Sequence, residues 1–408
     1  MKRRVVVTGM GLRSPIGNTL KDFSQGLKQG RTGVRRMPEW EQIANLRTRV
    51  AGVVDTSGED ELPRKLRRGM GRVALLSALA ARDAIADSGL EAESIASDRC
   101  GVSFGSTAGS SQSLEQFLRQ VFEQRSLLGM QSSTYLQFMS HTCAANLAIM
   151  VGARGPVIAS CTACTSGSQG VGFATEAIQA GKADRMLAGG AEEMHFMDAG
   201  IFDIMRATST RYNDQPESTP RPFDAQRDGL VVGEGAGCLV LEEYEQAKAR
   251  DARIWAEVLG FGSNCNGTHL TNSCADGIAG AIERALVDAG LGPERIQHVN
   301  AHATATETGD LAESQATNRL LGHRVPVSAI KGGMGHTLGA SGAIESVATI
   351  LMMTEGFMAH SLNLQQPDPL CAPLDHIQFE PRAERFCIGM NNNFAFGGVN
   401  TSLIFGLV

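Results

Sequence analysis

Three residues of this chain have types and settings that could do chemistry together. Cys164 lies in Ala163-Cys164-Thr165-Ser166-Gly167. Before it, residues 156–160 are short, apolar and bounded by Gly155-Pro156, which reads as a buried strand; after it, Val171, Ala174 and Ile178 recur at helical spacing. A cysteine at such a junction sits at a helix N-terminus, where unpaired N–H groups and the helix dipole favour an anion. The thiol is therefore expected to be acidic and to act as a thiolate nucleophile. His302, in Asn300-Ala301-His302-Ala303-Thr304-Ala305-Thr306, follows an apolar strand, and His336 lies in Gly335-His336-Thr337-Leu338-Gly339. Both occupy small-residue turns, where a substrate can approach the backbone closely. The other histidines, His141, His195, His269, His298, His323, His360 and His376, have weaker contexts; His269 is the least settled of them. Near the C-terminus, Asn391-Asn392-Asn393-Phe394-Ala395-Phe396-Gly397-Gly398 reads as a glycine turn between two strands. Such a turn can aim an N–H at an oxyanion.

The surrounding elements must bring these loops to one place. Residues 4–8 read as a first buried strand ending in a close-packed turn at Gly9-Met10-Gly11. Residues 73–86 carry apolar side chains at helical spacing, and residues 101–104, 186–190 and 237–242 read as strands. A polar stretch, 245–253, precedes a new apolar run, which puts a boundary near residue 250 and divides the chain into 1–250 and 251–408. The second half repeats the pattern of the first. A strand over 325–330 leads to Lys331-Gly332-Gly333-Met334-Gly335-His336, then a helix with Ile344, Val347 and Leu351 on one face. Two α/β halves, each presenting a loop to a shared cleft, is the economical model.

The 408 residues exceed one small core. Charged residues are 20% and hydrophobic ones 42%, an ordinary globular balance. The net charge of −6 argues against nucleic acid as the general partner. The basic start at Lys2-Arg3-Arg4 is not read as a leader, because Arg13 and Pro15 interrupt the apolar run behind it. No stretch is long and apolar enough to span a bilayer. Nine cysteines without framework spacing point to free thiols in a reducing cytoplasm.

Thr162 to Gly167, Asn300 to Thr306, Lys331 to His336 with Gly339-Ala340, and Phe394 to Gly398 together resemble the elongating β-ketoacyl-acyl-carrier-protein synthases of type II fatty acid synthesis. The likeness runs from Val5 to Phe405. It implies an α/β, thiolase-like fold in αβαβα layers with two pseudo-repeated halves, and a dimer. It implies that Cys164 takes an acyl group from a carrier-protein thioester, with the N–H groups of Cys164 and Phe396 as oxyanion hole. His302 and His336 would then hold the enolate formed when malonyl-carrier protein loses CO2, and the carbanion would attack the acyl group to give a 3-ketoacyl product. Lys331 would orient the site and add positive charge, and Asp310, Glu313 and Glu345 would be the carboxylates behind it. Thr304 and Thr306 would meet the pantetheine amides, Phe394 would line the cleft, and Phe396 would gate the acyl pocket. No metal or bound cofactor is implied; substrates arrive on the phosphopantetheine of acyl carrier protein. Arg64, Lys65, Arg67, Arg68 and Arg206 would make a basic docking patch for that acidic partner.

The sequence departs from the resemblance at Ala303 and Ala395, where the family usually has glycine; a Cβ at Ala395 would narrow the angles open to the gating loop. Ala108 stands where a larger aliphatic group is common at the acyl pocket, which hints at a longer or bulkier chain. These features also suit polyene or polyketide ketosynthases, including the active subunit of a heterodimer with a chain-length-factor-like homologue. Rival readings remain. An initiating synthase would carry asparagine at position 336, and a thiolase would carry a second cysteine near Asn393-Phe394-Ala395. Cys161-Thr162-Ala163-Cys164 is formally a C-x-x-C, so a redox or non-catalytic protein is the alternative of a different class.

Overall fold

The computed structural model describes residues 2–55, 62–271 and 273–408. Among these, the strands are β1 (Val5–Arg13), β2 (Val34–Arg36), β3 (Val50–Gly52), β4 (Cys100–Gly105), β5 (Val157–Ile158), β6 (Arg185–Glu192), β7 (Gly235–Glu243), β8 (Ala256–Cys265), β9 (His298–Asn300), β10 (Pro326–Ser328), β11 (Asp375–His376), β12 (Ile388–Phe394) and β13 (Val399–Gly406). Eleven of them run in the order β11-β10-β9-β12-β13-β8-β1-β7-β6-β4-β5, and β2 pairs with β3 separately.

The order is a duplication. From the centre outward, β1-β7-β6-β4-β5 uses the first, last, next-to-last, second and third strands of the first half. In the second half β8-β13-β12-β9-β10 uses the same places, with β11 added at the edge. The pairing senses also match. In each half the inner three strands are antiparallel and the outer three parallel. A short antiparallel contact, Val6 to Glu257 and Val7 to Ala256, joins β1 to β8.

Helix Arg72–Ser88 covers β1 and β7 on one outside, and Ala275–Ala289 covers β8 and β13 on the other. Helices Ser166–Gln179 and Ser341–Glu355 form the inner layer. The second is buried continuously from Ser341 to Met353, as a helix enclosed on every side must be. These two helices touch almost without side chains between them. A Cβ on Gly167 would sit 2.8 Å from the Gly339 carbonyl oxygen, and one on Gly342 would sit 2.4 Å from the Ser168 nitrogen.

Three local expectations need correction. Residues 156–160 are not a buried strand; β5 has two residues, lies at the sheet edge, and leaves Val157 49% exposed. Gly9 and Gly11 are not in a turn, because β1 continues through them to Arg13. They are small because helix Arg72–Ser88 lies against them: a Cβ on either would come within 2.2 Å of a helix carbonyl, Ala84 or Ala80. Asn391, Asn392 and Asn393 belong to β12, and the turn is confined to Ala395–Gly398.

The close approach at Gly11 is testable. Gly11→Ala should lower stability by about 1–3 kcal/mol, read as a lower urea midpoint with an unchanged slope. Gly200→Ala, in helix Phe196–Ile204 with open space around its Cβ, should not lower it.

Candidate active site

Each reactive side chain sits just beyond the C-terminal end of a parallel strand, where α/β folds expose their loops. Cys164 lies in the single turn Ala163–Thr165 that heads helix Ser166–Gln179. His302 follows β9, and His336 follows the short helix Lys331–Met334 after β10. Ala163, Ala303, Ala305 and Leu338 all have positive φ, at 49°, 24°, 64° and 46°. Such backbone costs of order 1–3 kcal/mol per residue and persists where the surroundings enforce it. Around Ala303 and Ala305 the enforcing groups are carboxylates. Glu313 accepts N–H bonds from His302 (2.8 Å) and Ala303 (2.7 Å), and Asp310 accepts from Ala305 (3.1 Å) and Phe223 (2.7 Å). Of the two alanines that stand where the resemblance has glycine, Ala303 is held at positive φ and Ala395 is not.

Cys164 Sγ lies 2.9 Å from His336 Nε2, and His336 Nδ1 lies 3.0 Å from Ser341 Oγ. The His302 and His336 rings meet edge to face with centroids 5.1 Å apart. One ligand atom from each of Cys164, His302 and His336 lies within 4.8 Å of the others, a donor set of the kind that soft metals take. The charge of Lys331, felt by all three, opposes a cation there. Lys331 is fully buried in an ion pair with Glu345. The other Glu345 oxygen accepts from Asn393 Nδ2 at 2.7 Å. Glu313 therefore holds the His302 loop, and Glu345 is the direct partner of the ammonium.

The electrostatics correct the expected acidity of the thiol. Burial pushes Cys164 up to about 12, against the pull of Lys331 and of the backbone N–H groups of Cys164 and Phe396. The helix terminus is present, but desolvation of the thiolate outweighs it. In this state Cys164 is a thiol beside an imidazole. Burial, helped by Lys331, holds both His302 and His336 well below the usual histidine range, so both are neutral. Burial pushes Glu313 up to about 8 and Asp310 up to about 6. Both Glu313 oxygens nevertheless accept N–H bonds, the pattern of an ionised carboxylate.

The three groups open into one narrow, partly enclosed cleft. Thr304, Thr306, Phe394 and Phe396 line it, as do Phe202, Leu230, Thr271, Ser273 and Asn400, which the sequence motifs did not single out. The Thr304 and Thr306 hydroxyls are 3.0 Å apart. Phe396 stacks on Phe202 at 5.5 Å. Ala108 is exposed and is not among the residues lining this cleft. Arg206 stands in a groove at the cleft mouth with Arg211, Arg227 and Phe396. Arg64, Lys65 and Arg68 line a different groove with Gln131 and Leu136. All nine cysteines are unpaired. Cys161 donates to the Thr107 carbonyl at 3.1 Å, and Cys164 meets His336 instead.

Ser341 and Asn393 also escaped the motif reading. Ser341 is five residues beyond His336, at the start of the next helix, a spacing that was available as a signal. Asn393 could not be found without knowing which face of β12 it occupies.

A cysteine at a buried helix start, two imidazoles from the opposite half and a duplicated five-layer α/β frame define a thiol-dependent condensing enzyme of thiolase-like fold. The model of the "Beta-ketoacyl synthase, N-terminal domain" matches residues 2–247, and that of the "Beta-ketoacyl synthase, C-terminal domain" matches residues 255–365. The 3-oxoacyl-[acyl-carrier-protein] synthase 2 of Vibrio cholerae is 40% identical over 99% of each chain. Among solved structures, a beta-ketoacyl synthase from Burkholderia phymatum has a TM-score of 0.97 at 48% identity, with both chains fully covered. The ishigamide ketosynthase/chain length factor has a TM-score of 0.93 at 32% identity, again with full coverage of both. The chain belongs to the beta-ketoacyl synthase family.

The raised thiol has a pH signature. Alkylation of Cys164 by iodoacetamide should accelerate steadily from pH 7 to 10 without a plateau, because the thiolate forms only above that range. Lys331→Met removes a charge that favours the thiolate, so it should slow alkylation at every pH in the range. A plateau near neutrality, read by intact mass, would contradict the burial argument.

Proposed function

We propose that this protein is a β-ketoacyl-acyl-carrier-protein synthase, an acyltransferase that condenses an acyl-enzyme with malonyl-carrier protein. The observation that carries this is the Cys164 thiol 2.9 Å from His336, with His302 beside it, at the end of one cleft. Cys164 attacks the incoming thioester carbonyl, and its proton passes by way of His336 to the departing pantetheine sulfur. The N–H groups of Cys164 and Phe396, both of which favour negative charge on the sulfur, receive the oxyanion. The neutral imidazoles then donate N–H bonds to the malonyl thioester oxygen as CO2 leaves. The resulting carbanion attacks the acyl-Cys164 carbonyl and the 3-ketoacyl chain departs on its carrier. Lys331, balanced by Glu345, keeps positive potential on the site. Thr304 and Thr306 offer hydroxyls to the pantetheine arm along the cleft wall.

The partner is acyl carrier protein, as the name of the Vibrio relative says of that enzyme, and substrates come on its phosphopantetheine with no cofactor resident in the site. Arg206 at the cleft mouth and the Arg64–Arg67 helix with Arg68 are the candidate docking groups. A second ketosynthase-like subunit, identical or chain-length-factor-like, is supported by exposed apolar side chains on the first half of the chain. Phe122, Leu127, Leu128, Ile149 and Val157 are 49–87% exposed. No helix among the described residues is long and apolar enough to cross a membrane, and the unpaired cysteines suit a reducing compartment. The product feeds fatty acid or polyketide-type chains; Ala108, exposed on a single chain, bears on acyl length only if a partner subunit covers it.

Cys164→Ala should abolish acyl transfer from a panel of acyl-carrier proteins, while His336→Ala should accept the acyl group and make no 3-ketoacyl product. Intact mass and product analysis check both; an acylated Cys164→Ala protein would remove the nucleophile. Reversing Arg67 and Arg68 to glutamate should raise KM for the carrier protein several-fold with little change in kcat.

A further inference from the structure

The loop that carries Thr304 and Thr306 lines the cleft where the pantetheine arm runs in the proposed reaction. That loop belongs to the second half of the chain, and a segment of the first half holds it. Gly229 N–H donates to the Ala305 carbonyl at 3.1 Å. Two residues on, the Val231 carbonyl accepts the His336 N–H at 2.7 Å, and Gly233 N–H donates to the His336 carbonyl at 2.8 Å. Residues 227–233 thus form a strap that sets the separation between the threonine loop and the His336 turn.

Arg227 begins the strap, and its side chain is buried. Nε donates to the Thr306 carbonyl at 3.4 Å and Nη2 to the Glu307 carbonyl at 3.2 Å. Nη1 donates to the Asp224 carbonyl at 3.1 Å and to Asp368 Oδ2 at 2.5 Å. Asp310 Oδ2 lies 3.9 Å from Nε, and its other oxygen accepts from Ala305 at 3.1 Å. The place is electrostatically adverse: Thr306 caps the N-terminus of helix Glu307–Leu321, where the helix dipole disfavours a cation. The carboxylates of Asp310 and Asp368 offset that cost. What the guanidinium adds is a planar fork that reaches two successive main-chain carbonyls, which the point charge of a lysine cannot do. The Thr306 carbonyl also accepts the Asp310 N–H at 3.1 Å, so it is held from two directions. The Thr304 and Thr306 hydroxyls are 3.0 Å apart, and fixing this peptide fixes where both point.

We propose that Arg227 is a positioning residue for the substrate arm: it clamps the Thr306–Glu307 main chain so that the two threonine hydroxyls meet pantetheine at a set distance from His336. This rests on the ketosynthase reading above. Arg206 and Arg211 line the same groove as Arg227, so direct contact with the carrier protein is the competing role. The two differ in what they recognise. A clamp on the threonine loop acts on the arm whether or not a protein is attached to it, and a docking group acts on the protein alone.

Arg227→Lys keeps the charge and loses the fork. In enzyme already acylated at Cys164, it should raise KM for malonyl-pantetheine, which has the arm and no protein, by about 10-fold, with kcat changed less than about 3-fold. Alkylation of Cys164 by iodoacetamide, which needs no arm, should stay within about 2-fold of the unmodified protein. Thr306→Val should raise the same KM by about 10-fold alone and by less than about 3-fold in the Arg227→Lys background, because residues that act through one contact are not additive. If Arg227→Lys does not fold, Asp368→Asn, on the outer side of the guanidinium, should give the same pattern with a KM rise of about 3-fold. Full multiplication of the two KM effects, a rise seen only with malonyl-carrier protein, or a loss in kcat alone would overturn the proposal. A normal KM in Thr306→Val would remove the arm from these hydroxyls, and the proposal with it. An enzyme that never acylates Cys164 at all would refute the ketosynthase reading instead.

Discussion

The site depends on keeping one ammonium out of water. Lys331 is wholly enclosed and pairs with Glu345, itself enclosed and held on its second oxygen by Asn393. A buried pair of this kind repays its desolvation only when the remaining lone pairs are hydrogen-bonded, and Asn393 does that from β12. The charge then reaches Cys164, His302 and His336 through a medium with little screening. It favours the thiolate and adds to the burial that keeps the two rings neutral, a state in which an imidazole can donate an N–H bond.

Strain is distributed around this charge. Four residues without the freedom of glycine are held at positive φ within three positions of Cys164, His302 or His336. Glu313 and Asp310, both on helix Glu307–Leu321, hold the loop after His302 by accepting the main-chain N–H groups of His302, Ala303 and Ala305. Carboxylates buried behind a reactive loop thus act on geometry at least as much as on charge. The same division appears at Glu192, which accepts from Thr107 and from Gly339 and so ties the loop after β4 to the turn after His336.

Much of this was legible in the chain. The four small-residue motifs located the reactive groups, and the recurring strand, loop and helix order pointed to the duplicated frame whose strand order is now explicit. What could not be read has specific physical causes. Val157-Ile158 looks buried because its residues are apolar, but burial of an edge strand depends on what lies beside it. The acidity of Cys164 was argued from the helix terminus, a local feature, while the deciding factor is desolvation by distant segments. Gly9 and Gly11 resemble a turn because glycine signals both turns and close packing, and only the position of helix Arg72–Ser88 separates the two. Ala303 and Ala395 look equivalent as alanines in place of glycine, yet only Ala303 is held at positive φ.

The contact between the two inner helices has a consequence for how such an enzyme can diverge. Gly167 and Gly342 let the backbone that bears Cys164 rest on the backbone that follows His336. The spacing of reagents contributed by two halves of a duplicated chain is thereby set by peptide planes, which mutation cannot resize. Variation in the walls of the cleft can retune what is accepted while the gap between Cys164 and the two imidazoles stays constant, and a single methyl group at this axle would be the smallest step that changes it.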